Sequence, residues 1–303
     1  MAIEAPPRAA HVSPAVRRRP RRYGSDGISG GRLAGRIVTG ILIAAVFLVP
    51  YLIMLIGSLK TRPEILAVPP KYLPQDGLQF GNYLTMWSTP ETPLTYNLLS
   101  TIIIAVFSTL LVLLVATPAA YYTARFNFPG KLAFLFLVIV TQMLQPAVLT
   151  AGLFRQMLVL DLNDTWLAMI LINAAFNLSF ALWIMHSFFA GIPKEVEEAA
   201  QLDGASRLAV LFRINLPLVW PGIVTAIIFT FVASWNEFAA SLVIMTTAEN
   251  QPLSVALTKF IGQYATSWQY VFGVSVVAIV PVIVLFILIE KRLIGGLTAG
   301  AVK

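Results

Sequence analysis

The chain has 303 residues, of which 58% are hydrophobic and 12% charged, with a mean hydropathy of +0.80 and a net charge of +7. That charged share is about half of what a soluble domain carries, so most of the chain is expected in lipid. With no cysteine, disulfides, thiolate metal sites and thiol redox chemistry are excluded. The two histidines, His11 and His186, lie far apart, and no metal site is expected.

Residues 1–36 form a leader that carries Arg17-Arg18-Arg19-Pro20-Arg21-Arg22 among scattered glycines and prolines. Its composition predicts a disordered, cytoplasmic topology anchor. Nothing else in the chain supports a nucleic-acid partner. Six windows then approach the length of about 20 residues that a hydrocarbon core of about 30 Å requires: residues 37–57, 98–122, 132–151, 166–189, 218–245 and 270–289. Each closes its backbone hydrogen bonds internally and none alternates like a barrel strand. The expected fold class is all-α, a polytopic membrane helix bundle with six transmembrane helices. The first window runs too long for a cleaved signal and lacks an Ala-x-Ala end. Residues 37–97 hold the first span and a long, proline-rich external loop; residues 98–290 form the core, and residues 291–303 a cytoplasmic tail.

Charge orients the bundle. With the leader inside, 16 of the 21 Lys and Arg residues fall on the cytoplasmic side, which obeys the positive-inside rule. Both termini and the polar segment between the fourth and fifth windows then face the cytoplasm of a multi-pass plasma or inner membrane protein.

That polar segment is the most informative stretch. Pro193 suits the first turn of a short helix, and Glu195, Glu197 and Glu198 fall in its early turns, where the helix dipole favours negative charge. Ala199, Ala200 and Leu202 supply a small, apolar surface, with Asp203 beside it, and Gly204 can end the helix. The expectation is a short helix parallel to the membrane that presents acidic and small groups to the cytosol, with Pro217 marking the return to lipid.

The spacing Glu198-Ala199-Ala200, three residues, Gly204, nine residues, Ile214-x-Leu216-Pro217 resembles the loop by which ABC importer permease subunits grip their ATPase. Other runs are similar to the carbohydrate branch of that family, near the second membrane subunit of the maltose-type importer. They are Ala124-Arg125-Phe126-Asn127-Phe128-Pro129-Gly130, Trp235-Asn236-Glu237-Phe238 and the end from Lys291 to Lys303. The resemblance covers nearly everything after the leader and implies a core ABC importer domain over residues 98–290. It implies ATPase coupling through Glu195, Glu198, Ala199, Ala200, Leu202, Asp203, Gly204, Ile214, Leu216 and Pro217. It also implies an ATPase contact through Leu297, Thr298, Ala299 and Gly300. Expected partners are a homologous membrane subunit, two cytoplasmic ATPase subunits, an extracytoplasmic solute-binding protein and the lipid bilayer.

The chain has no GxxxxGK[ST] run, so it carries no phosphate-cradling loop. ATP and Mg²⁺ are expected on the ATPase partners, with no cofactor on this chain and no catalytic residue in it. Inside the windows, Gln142, Gln145, Asn173, Asn177, Trp235, Asn236 and Glu237 are costly in lipid and therefore face a pathway, a gate or another helix. Amides and an aromatic ring suit a polyhydroxylated solute, and amides also bond one another across bundles. The rival reading is an autonomous ion-coupled carrier with Glu237 as the coupling carboxylate; a structural membrane scaffold is a third.

Overall fold

The computed structural model describes residues 30–89, 92–144, 146–262 and 266–299, with side chains described throughout except at 30–32 and 290–299. The Arg-rich run of the leader, Gln145 and Gly300 therefore lie outside the described residues, as do the side chains of Leu297, Thr298 and Ala299.

The chain divides into two units, Met1–Val49 and Pro50–Lys303. The first, from Gly30 onward, is helical: α1 (Gly30–Ser58) begins in it and ends in the second. In the second unit the proline-rich loop carries two short helices, α2 (Arg62–Ile65) and α3 (Gly81–Trp87). Glu64 organises this loop, its carboxylate accepting from the backbone N–H groups of Gln75 at 2.5 Å, Asp76 at 2.8 Å and Thr61 at 3.2 Å.

The centre of the second unit is α4 (Leu94–Arg125) packed with helices farther along the chain. Its buried hydroxyls are satisfied locally: Thr101 donates to Asn97 O, Thr109 to Ala105 O and Thr123 to Ala119 O at 2.7–2.9 Å. This back-bonding lets polar residues sit in an apolar helix. After a turn at Gly130 come α5 (Lys131–Gln142) and α6 (Pro146–Val159), bent by 97° to one another. The third window is thus not one continuous span. Pro146 opens α6, where its missing N–H costs nothing, while it could not have continued α5 without losing a backbone bond.

Thr165 caps α7 (Trp166–Ala190) by accepting from Ala168 N at 3.2 Å. The polar connection that follows contains α8 (Lys194–Leu202), α9 (Arg207–Val210), one π-helical turn at Leu211–Asn215 and the single turn α10 (Leu216–Leu218). This return segment meets α11 (Trp220–Trp235) at 74°. The fifth window is also interrupted, since α11 stops at Trp235 and α12 (Ala239–Ile244) starts afresh. After α13 (Leu253–Ala256) and one 3₁₀ turn, α14 (Trp268–Ala299) closes the described chain and continues past the predicted end at Ile289. Among the described residues, α4, α7 and parts of α1 and α14 are long and apolar enough to cross a membrane unbroken; counting each bent pair as one crossing gives six.

Small residues set the helix spacing. Ala116 and Ala120 of α4, Ala181 of α7 and Ala226 of α11 are fully buried in one cluster with Leu182, Met185 and Phe189. A Cβ on Gly222 would lie 2.6 Å from the Phe188 ring. Close backbone approach supplies the dispersion contacts that hold helices together where the surroundings are as apolar as the side chains.

The connections distant from α8 are tied by buried polar groups. Asn97 Nδ2 donates to Ala248 O at 2.6 Å and Gln251 O at 2.7 Å, and Thr101 Oγ1 accepts from Leu253 N at 2.8 Å. Asp164, in the left-handed region at φ 56–59° with its neighbour Asp161, accepts from Thr246 N, Thr247 N and the Thr247 hydroxyl. Partial burial raises the Asp164 pKa, but hydrogen bonds from Thr247, Thr246 and Asn250 outweigh it and hold the carboxyl below its ordinary value. A depressed folded pKa contributes stability above the unfolded value of about 3.9, and the contribution is lost as pH falls through the folded pKa. Asp164→Asn, which turns an amide donor toward donors, is expected to lower the thermal midpoint near neutral pH. The difference from the wild type should shrink below about pH 4; thermal scans across pH check both.

Candidate functional site

The α8 connection folds as its sequence grammar requires. Pro193 stands at the N-cap rather than in the first turn, with Glu195 and Glu197 in the first turn of the helix. At the other end Ala205 N bonds to Ala200 O at 3.0 Å and Gly204 N to Gln201 O at 3.0 Å. With Gly204 at φ +89° this is the paired bonding of a glycine-terminated helix. Glu195, Glu198, Ala199, Leu202, Asp203 and Gly204 are exposed, Ala200, Ile214 and Leu216 are half-buried, and Pro217 is exposed. Leu202 is 89% exposed, and Leu208 and Phe212 of the return segment exceed 60%. Open apolar side chains thus stand around a polar helix, as at a protein or membrane contact.

One carboxylate departs from expectation. Glu197 does not face outward with its neighbours but is buried against the Arg125 end of α4. Its Oε1 meets Arg125 Nε at 2.5 Å and accepts from Asn215 Nδ2 at 2.9 Å, while Oε2 accepts from the Tyr121 hydroxyl at 3.3 Å. Arg125 Nη1 also donates to Ile192 O at 2.9 Å. Asn215 belongs to the π-helical turn, a widened register just ahead of Pro217, which has no N–H for the α ladder. The sequence pattern presents Glu197 only as one of three acidic residues at a helix start, with nothing that marks Tyr121, Arg125 and Asn215 as its partners. No local signal pairs them, since Arg125 lies 72 residues before Glu197 and Asn215 18 after it.

A second constellation lies between α5, α7 and α11. Gln142, Asn173, Asn177 and Glu237 line one cavity of about 460 Å³ together with Phe176, Phe180 and Phe229. Asn173, 3% exposed, leaves Nδ2 without a hydrogen-bond partner among the described residues. Asn177 Nδ2 donates to Asn173 O of its own helix at 2.8 Å. The expected bonding of these amides across helices is therefore not what the described residues show.

Trp235 and Asn236 do not join this group. The Trp235 indole is buried, stacks on Phe231 and donates to Ala278 O of α14 at 3.1 Å. Asn236 is exposed and bonds back to Val232 O. Of the places expected for these two residues, a pathway, a gate or another helix, Trp235 takes the last. The helix breaks at this point, and three phenylalanines supply the aromatic wall instead. Glu237 accepts from Ala240 N at 2.7 Å, Ser241 N at 3.0 Å and Ser241 Oγ at 2.5 Å, so its carboxylate caps α12.

Residues 116–291 match the family described as binding-protein-dependent transport system inner membrane component. The chain belongs to this family. Its span of similarity takes in α7, α8, the return segment and α11 whole. The chain is 34% identical to the sulfoquinovosyl glycerol transport system permease protein SmoH of Agrobacterium fabrum, over 84% of this chain and 89% of the relative. It is 32% identical to the trehalose/maltose transport system permease protein MalG of Thermococcus litoralis, over 88% and 95%. Its fold is similar to a chain of a bacterial ABC transporter involved in import of the acidic polysaccharide alginate, with a TM-score of 0.71, 23% identity and coverage of 88% and 98%. A chain of the MetNI methionine ABC transporter follows at a TM-score of 0.54, 16% identity and coverage of 67% and 98%. This protein is thus an ABC importer permease, a multi-pass inner membrane component.

Because the Trp235 indole is engaged with α14, Trp235→Phe is expected to lower the stability of the purified permease complex by about 1 kcal/mol, the worth of one net hydrogen bond. The KM for transported solute should not change. Thermal unfolding and uptake kinetics on the same preparation check the pair of outcomes.

Proposed function

We propose that this permease carries a carbohydrate or related polyhydroxylated solute, delivered by an extracytoplasmic binding protein. It does so by alternating access driven by two cytoplasmic ATPase subunits and shared with a homologous membrane subunit. The observation that carries the reading is the α8 connection: a rigid, glycine-terminated helix surrounded by exposed Leu202, Leu208 and Phe212. Small Ala199 and Ala200 let that helix seat in a groove on the ATPase, and Glu195 and Glu198 pair with basic groups at its rim. Asp203, Gly204, Ile214, Leu216 and Pro217 give the loop its shape, and Leu297, Thr298, Ala299 and Gly300 add a second ATPase contact. This placement puts the loop and both termini in the cytoplasm, in keeping with the distribution of basic residues. ATP and Mg²⁺ belong to the partner subunits, and the chain itself performs no covalent chemistry.

For the solute, two relatives with sugar-type substrates in their names support the class. The cavity bounded by Gln142, Asn173, Asn177 and Glu237 offers what such a solute needs. Amides and a carboxylate bond hydroxyls, and Phe176, Phe180 and Phe229 offer faces to the C–H side of a sugar ring. Gln145, adjacent in sequence, belongs to the same proposed pathway.

The deciding experiment reconstitutes the chain in vesicles with and without its partners. Uptake should require the ATPase, ATP and the binding protein, and should not respond to collapse of the proton gradient. Concentrative uptake by this chain alone on an ion gradient would overturn the proposal. Gly204→Trp places a bulky side chain at φ +89°, where L residues are strained. It should leave the permease in the membrane while severing ATP hydrolysis from uptake. In the same assay Asn173→Leu and Phe180→Ala should raise the KM for solute about tenfold, as loss of one good polar or stacking contact implies.

A further inference from the structure

The three carboxylates of α8 divide between two tasks. Glu195 and Glu198 are exposed, whereas Glu197 is turned into the protein and meets partners from separate parts of the chain. Arg125 and Tyr121 come from the last turns of α4, and Asn215 comes from the return segment. The same Arg125 also holds Ile192 O, in the link between α7 and α8. One buried guanidinium–carboxylate pair therefore fastens the approach to the helix, the helix itself and the return segment leaving it to the end of α4.

The connectivity explains why a fastening is needed. Helix α8 has nine residues and joins α7 through Gly191, Ile192 and Pro193. Beyond it, Asp203, Gly204 and Ala205 form a turn. A short helix hung between two turns would swivel under a push from outside and pass on little of it. Both hinges are closed by the Arg125 pair: the first by Arg125 Nη1 on Ile192 O, the second by Asn215 on Glu197. Burial makes the fastening stiff, because separating the charges leaves each one uncompensated away from water. From Arg125 the load enters α4, which packs through Ala116 and Ala120 against α7 and α11.

We propose that Arg125 and Glu197, with Asn215 and Tyr121 as their supports, form a strut that makes the coupling helix and α4 move as one body. Displacement of α8 by the ATPase then becomes displacement of the bundle. Glu197 and Arg125 are positioning residues: they act on transport through the seat of α8 and touch neither nucleotide nor solute. The inference rests on the assignment of α8 as the ATPase-docking helix and adds to it what holds that helix.

The test uses the full complex of this chain with its second membrane subunit, ATPase and binding protein in proteoliposomes. ATP hydrolysis and solute uptake are measured on the same vesicles. Glu197→Gln keeps the shape and one acceptor for Asn215 but removes the charge that holds Arg125. It is expected to assemble with the ATPase and to raise the ATP hydrolysed per solute moved about fivefold to tenfold, the size of a lost coupling between sites. Arg125→Lys keeps a charge but cannot reach Glu197 and Ile192 O together, and carries the same expectation should Glu197→Gln fail to assemble. A role confined to folding would lower complex yield and reduce hydrolysis and uptake in parallel, with the ratio unchanged. That outcome in both variants would overturn the strut. Gly204→Trp separates the two layers of the argument. If it uncouples while the strut variants do not, only the strut is wrong; if it too leaves the ratio unchanged, the docking assignment falls first.

Discussion

Taking a carboxylate and a guanidinium out of water costs several kcal/mol per ion, and their attraction repays this only with good geometry and further hydrogen bonds. Glu197 has the further hydrogen bonds in full and Arg125 in part, its Nε and Nη2 having no hydrogen-bond partner among the described residues beyond the ion pair itself. The carboxylate receives Asn215 and Tyr121 besides the guanidinium, and the guanidinium reaches a backbone carbonyl. Removing one partner of such a pair costs about 3–5 kcal/mol, because the other is left buried and unpaired. Without that anchor the exposed face of α8, with Leu202 open beside it, would have no fixed position from which to receive a partner. Local residues start and end α8, and this one contact fixes where the helix sits against α4.

The two interruptions in the helices obey a related constraint. Backbone freed from a helix at membrane depth must be satisfied by protein or face a polar cavity. The break between α5 and α6 places Gln142, Leu144 and Pro146 on the cavity wall, and the break between α11 and α12 places Glu237 there. Both interruptions thus border the same space. At the second, the Glu237 carboxylate takes up the N–H groups that begin α12. That gives an acidic residue in an apolar segment a structural part to play.

Much of this was legible in the sequence because hydropathy and motif spacing are local quantities. The spans over α4, α7 and α14, the helix from Lys194 and its end at Gly204 all follow from residues within one or two turns of each other. The breaks were missed because a window of about 20 residues averages across them, although Pro146 and the run from Asn236 to Phe238 carried the signal. Asn173 and Asn177 were singled out as a pair. Adding Phe176 and Phe180 gives the i, i+3, i+4, i+7 stripe of a single helix face, a pattern that hides because phenylalanine is equally at home against lipid. The inward turn of Glu197 was not legible at all. Which face of a nine-residue helix is covered depends on Arg125 and Asn215, 72 residues before it and 18 after.

The two sites are joined by continuous helix rather than by loops. Helix α7 carries Asn173, Phe176, Asn177 and Phe180 at the cavity and runs unbroken to Ala190, just before the link that Arg125 holds. From Asn177 to Ala190 the path is about 20 Å at 1.5 Å per residue. Helix α11 leaves the return segment and reaches the cavity with Phe229 and Ala233. Two rods therefore run from beside the α8 connection to the cavity wall. The buried alanines of α4 are packed between them. A close-packed core of this kind deforms little and shifts between discrete arrangements instead. Rotation of these rods would alter the cavity where they form its wall, and Thr141 of α5, bonded to Ser179 of α7 at 2.8 Å, would be drawn with them, while Leu144 and Pro146 beyond the end of α5 need not follow. A solute site whose walls belong to differently connected parts can change shape without unfolding any of them.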